Sequence, residues 1–108
     1  MATASVLIQR GHHRKGDIVT LKAIIAHPME TGYRRTEQGA VIARNIIRRF
    51  TCHYDGVEVF ACDLFPAIAA NPLIAFTTVA TRTGPVTFTW TGDNGFHHAE
   101  TATLTVMD

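Results

Sequence analysis

Val86, Phe88 and Trp90 alternate with Thr87, Thr89 and Thr91, and Ala102, Leu104 and Val106 alternate with Thr101, Thr103 and Thr105. A period of two places successive side chains on opposite faces of a strand. Threonine is β-branched and polar, so it suits the wet face of a half-buried sheet. Asp93-Asn94-Gly95 turns the chain between the two runs. No other feature constrains the fold as strongly, because a sheet with one dry face requires a second layer to cover it.

The rest of the chain supplies that layer. Strands are predicted at 5–9, 17–27, 47–54, 57–64 and 73–81. Within 17–27, Val19, Leu21, Ala23 and Ile25 share a face, and Ile24 breaks the polar face opposite, predicting cover on both sides there. Gly11 to Gly16 reads as a solvated turn with a basic tip carrying His12 and His13, and Gly84-Pro85 as another turn. Asp55-Gly56 is a strong two-residue hairpin signal. Residues 28–40 read as loop ending in a Gln38-Gly39 turn, 41–49 as irregular before the next strand, and 66–72 as a connection. The pattern predicts an all-β fold, an immunoglobulin-like sandwich of about seven strands in two packed sheets. The Cys–Trp–Cys pattern of true immunoglobulin domains is missing, so the expectation concerns architecture only.

At 108 residues the chain is read as a single domain, 1–108, with enough surface to bury for one core. Its 46% hydrophobic and 18% charged residues fit a globular protein, and no apolar run approaches the roughly 20 residues of a membrane helix. Residues 1–8 show neither the basic start nor the cleavage site of a secretory signal. The net charge of +1 is unevenly placed: 1–49 balance at +6 and 50–108 at −5. A basic half can attract anions or an acidic partner, whereas a sandwich that interleaves the halves erases the dipole.

His27-Pro28-Met29-Glu30-Thr31-Gly32 closes the second strand. The residue before proline favours extended geometry, Pro28 cannot donate to a ladder, and Gly32 can take a positive φ, so the segment is a strand-to-loop corner. It also resembles the His-Pro-Met-Glu-(Ser/Thr)-Gly segment of the SoxZ family, one subunit of the SoxYZ sulfur carrier of thiosulfate oxidation. Gly16 to Lys22 resembles that family's preceding strand. Ala61-Cys62-Asp63-Leu64-Phe65-Pro66-Ala67 and Asn71-Pro72 are similar to its Ala-Asp-(two residues)-Pro-Ala and Asn-Pro pattern, with Cys62 before the Asp and Leu64-Phe65 in place of Trp-Gly.

The chemistry-bearing residues give little beyond this. An unbroken Asp55-Gly56 hairpin pairs Cys52 with Val59 and Arg49 with Cys62. The thiols then lie about 10 Å apart along the ladder, on opposite faces, too far for a disulfide. Cys52 reads as a buried small hydrophobe. Cys62, Phe60 and Leu64 read as an outer apolar face needing cover from a partner, a loop or the 41–47 segment. The six histidines invite an alternative reading, a small His-rich metalloprotein of sandwich fold like the superoxide reductases. No His-x-His or His-x₃-His pair supports it, so no metal or cofactor is expected. The basic tip lacks the interleaved aromatics of a nucleic-acid site. No nucleophile with its base, carboxylate pair or phosphate-cradling loop is visible, so no catalytic residue is assigned and the chain is read as no enzyme.

The resemblance implies a division of labour. The SoxY half of the carrier bears its substrate on a cysteine in a flexible glycine-rich arm, where the thiolate must be reachable. Residues 101–108 read as a strand without cysteine, so this chain is expected to be the other half. It would dock a SoxY-like subunit as a heterodimer or higher assembly and make transient contacts with other Sox enzymes. Partner contacts are assigned to His27, Pro28, Met29, Glu30, Thr31, Gly32, Phe60, Cys62 and Leu64, with Arg34 and Arg35 drawing anions. The family acts in the periplasm, and this chain would be exported together with its partner. An apolar face without its partner could pair isolated copies of the chain.

Overall fold

The computed structural model describes residues 3–107. The strands are β1 (Ala4–Ile8), β2 (His13–Arg14), β3 (Ile18–Ile25), β4 (Ile47–Tyr54), β5 (Val57–Asp63), β6 (Leu73–Val79), β7 (Gly84–Gly92), β8 (His97–Leu104) and β9 (Val106–Met107). A one-turn 3-10 segment, Asp93–Gly95, joins β7 to β8. One sheet runs β1-β3-β6 and the other β5-β4-β7-β8, all pairs antiparallel. These seven strands are the expected immunoglobulin-like sandwich. β2 and β9 add a parallel two-residue pair, so the basic tip is tied down where an open turn was expected. His13 is accordingly buried, its ring Nε2 2.6 Å from the Gln9 carbonyl.

The alternation delivers the core. Val19, Leu21, Ala23 and Ile25 of β3 face Phe50 and Cys52 of β4 and Val86, Phe88 and Trp90 of β7, all buried. Phe50 sits at the centre, its ring 5.2 Å from Trp90, 5.9 Å from Phe76 and 6.3 Å from Phe88. At such separations each tilted or edge-on pair adds about 0.5–1.5 kcal/mol to plain burial. At one end Tyr54 closes the sandwich, its hydroxyl accepting from the N–H groups of Thr81 and Arg82 and donating to the Arg82 carbonyl.

Two expectations are corrected and a third is refined. First, β5 does not continue the hairpin register: His53 pairs with Glu58 as expected, but Cys52 pairs with Phe60 and Phe50 with Cys62. The extra residue, Val59, is a β-bulge, and a one-residue slip turns every later side chain to the other face. Phe60 and Cys62 therefore pack against the core, with Phe60 stacked 4.3 Å from Phe76, and Leu64 is buried. Phe76 of β6 supplies the cover for Phe60. Second, Ile24 is exposed beside a still more exposed Leu73, so the outer face of β3 is open there. Third, residues 28–46 hold no strand, as expected, but isolated antiparallel bridges Glu30–Asn45 and Arg35–Val41 pair the two limbs of this loop into an arm. The arm explains the molecular shape: the radius of gyration is 16.5 Å, against about 13 Å for a compact domain of this size.

Candidate functional site

The arm starts at the corner of His27 to Gly32, where β3 ends. The His27 N–H donates to Asn71 Oδ1 at 2.9 Å, and the Asn71 N–H donates to the His27 carbonyl at 2.8 Å. Two separated segments of the resemblance, the His-Pro-Met-Glu run and Asn71-Pro72, are thus one structural unit. Next, the Met29 N–H donates to His27 Nδ1 at 3.0 Å, so the imidazole ring caps its own turn. This fixes the neutral tautomer with its proton on Nε2, which is buried without a partner. Burial pushes the His27 pKa down, against a smaller upward pull from Asp93. The ring also meets Phe96 edge-on at 4.9 Å.

Met29 takes the left-handed conformation, φ +50°. A bulky residue goes there only when its surroundings hold it. Here its side chain is buried and Sδ accepts the Ile47 N–H at 3.2 Å. The chain then leaves the sandwich. Glu30 and Asn45 exchange two backbone hydrogen bonds of 2.8 Å, and Gly32 lies so close to the opposite limb that a Cβ there would meet Arg44 Cβ at 3.0 Å. Glu30 also pairs with Arg34, whose guanidinium holds its carboxyl below the usual range. At the tip, the Thr36 N–H donates to the Ala40 carbonyl and Arg35 to the Gly39 carbonyl.

Asp93 locks the base. Its carboxylate accepts from Arg44 Nε at 2.8 Å and Nη2 at 3.0 Å and from the Ile46 N–H at 3.1 Å, with Arg48 Nε 3.3 Å away. The Arg44 hydrogen bond, chiefly, holds the Asp93 carboxyl below its ordinary range. The returning limb passes close over β7, since a Cβ on Gly92 would fall 2.4 Å from the Ile46 carbonyl oxygen. Nothing in the sequence singled out Asp93, because its partners lie more than forty residues away. Beyond this anchor the arm is exposed, with Tyr33 83% accessible and Val41 54%.

The residues assigned to partner contact fall into two groups. Pro28 is exposed and Glu30, Thr31 and Gly32 are half-buried, so these carry surface. His27, Met29 and Leu64 are buried and can act only by shaping it. Phe60 and Cys62 lie across the sandwich interior and do not join the corner. Both thiols are free. Burial pushes the Cys52 thiol up to about 12, and burial with help from Asp63 raises Cys62. Among the described residues, no three His, Cys, Asp or Glu side chains gather as a metal-binding group.

By fold, the chain is similar to the superoxide reductase (neelaredoxin) from Ignicoccus hospitalis. The TM-score is 0.73 at 12% identity, covering 97% of this chain and 80% of that one. Two variants of that enzyme give 0.71 at 13% identity, covering 97% and 82%, and 0.70 at 12%, covering 95% and 80%. Identities this low establish the shared sandwich alone. No curated protein matches the chain. A family model does: that of the sulphur oxidation protein SoxZ matches residues 8–103, nearly the whole length. The chain belongs to the SoxZ family.

Proposed function

We propose that this chain is the non-catalytic subunit of a thiosulfate-oxidation carrier: it grips a SoxY-like partner and helps present the sulfur species on that partner's cysteine to other Sox proteins. The state of its own two thiols carries this reading. A sulfur carrier needs an accessible thiolate, since the thiolate is the attacking species. Cys52 is buried with its pKa near 12, and Cys62 is half-buried on a strand with its pKa raised. Membership of a sulphur oxidation family, together with two poorly reactive thiols, supports placing the cargo on another chain.

The corner and arm supply the grip. A two-stranded ribbon is marginally stable by itself in water and gains most by lying against another surface. The exposed Tyr33 and Val41 offer apolar contact, and Arg34, Arg35 and Arg44 offer charge. The same reading puts the complex in the periplasm, which fractionation tests. For the grip itself, residues 33–42 are replaced by an Asn-Gly turn and the variant is co-expressed with the partner. The expected result is a folded sandwich that no longer co-purifies with the partner; undiminished co-purification would refute the role of the arm. In parallel, a thiol reagent should label neither cysteine rapidly, with Cys52 the slower.

A further inference from the structure

Beside the arm's base lies a groove of about 410 Å³, rimmed by Arg44, Arg48 and Arg49 over a floor that includes Ile46, Leu64 and Phe65. Two devices build it. The register of β4 against β7 slips between Ile47 and Arg49, so Arg48 is an extra residue. Such a bulge re-aims side chains. Both consecutive arginines are therefore exposed on a strand that would otherwise bury one of them. The second device is Asp93, which holds Arg44 and Arg48 from below while only 14% accessible itself. Arg44, Arg48 and Arg49 remain 47%, 59% and 48% accessible. Arg44 and Arg48 are thus held at the back by Asp93 while much of each side chain stays exposed. Asp63, which pairs with Arg49 and also lines the groove, is 59% accessible, so this ion pair is exposed to solvent.

We propose that this groove binds an oxyanion carried at the end of a short segment, the S-sulfonate (–S–SO₃⁻) borne by the partner's cysteine; the identity of that ligand rests on the carrier reading above. Guanidinium groups present planar pairs of donors that match the oxygens of such an anion. The apolar floor suits the sulfur and methylene next to it. The three arginines outnumber their two carboxylates, so the groove keeps positive charge.

The test titrates the ¹⁵N-labelled full chain with three probes: thiosulfate ion, a glycine-flanked S-sulfocysteine peptide, and the same peptide with a free thiol. Amide shifts confined to residues 44–49 and 63–66, with the S-sulfo peptide binding about tenfold more tightly than the thiol peptide, are expected. Binding of the free ion as well shows that the anion alone suffices. An Arg48→Gln/Arg49→Gln double variant should bind the S-sulfo peptide about tenfold more weakly, and Arg48→Lys/Arg49→Lys should recover part of the loss. Both replace exposed side chains, and their amide spectra report folding directly. No shift in the groove, equal binding of the thiol peptide, or unchanged affinity in a folded double variant would overturn the proposal. Partner capture is read separately. A wild-type chain that captures the partner but ignores the S-sulfo peptide sinks the groove alone. One that binds the peptide but never captures the partner supports the groove and sinks the carrier reading.

Discussion

The sandwich and the arm are built on opposite principles. In the sandwich, side chains hold the backbone: Phe50, Phe88 and Trp90 fill a dry interior, and the hydrogen-bond ladders follow from it. In the arm, the backbone and two carboxylates hold exposed side chains: Asp93 clamps Arg44 and the Ile46 N–H at the base, Glu30 holds Arg34, and the Glu30–Asn45 bridge joins the two limbs. The difference shows where each region's free energy resides. The sandwich carries its own apolar core, whereas residues 33–44 of the arm are almost wholly exposed.

The sharpest way to separate the two is to cut each at its centre. Phe50→Ala should lower global stability by about 3–5 kcal/mol, read from the urea midpoint, because the buried ring leaves a cavity among four aromatic neighbours. Asp93→Ala should lower it by about 1–3 kcal/mol, leaving the Ile46 N–H and Arg44 without their acceptor. Hydrogen exchange should then quicken at the Glu30 and Asn45 amides and stay slow at Phe88 and Trp90. Equal loss of protection in both regions would erase the distinction.

Acid should act on the arm before the core, in two windows. Burial lowers the His27 pKa below its ordinary 6.5, so as pH falls from that value the unfolded chain takes up a proton first and stability drops until the folded-state pKa is passed. Asp93 is held below its ordinary 3.8, so its contribution is complete above that value and is lost as pH falls through the folded-state pKa. His27→Gln should remove the first step and Asp93→Asn the second, in stability measured against pH. A profile unchanged in both variants would contradict the assignment. The smallest effect belongs to the tip: Arg35→Ala should stay within about 0.5 kcal/mol of the parent, since the residue is exposed and its one acceptor is the Gly39 carbonyl.

The sandwich was legible in the sequence because its strands bury one face. Period-two alternation in β3, β7 and β8 is the direct imprint of that burial. The pairing of the arm's two limbs was not legible for the same reason in reverse: with both faces of 33–44 almost wholly exposed, nothing selects an alternating pattern, and the segment reads as plain loop. The bulge at Val59 escaped because no glycine or proline marks it, and one missed residue turned Phe60 and Cys62 to the wrong face. The corner was recognised through its resemblance and its proline. Its contacts with Asn71 and Phe96 are long-range, and no local spacing points to them.

The most direct test is intact-mass analysis of the assembled complex after loading with thiosulfate and the remaining Sox components. The sulfur adduct is expected on the partner chain, with an unmodified mass for this one. An adduct on Cys52 or Cys62 would contradict it.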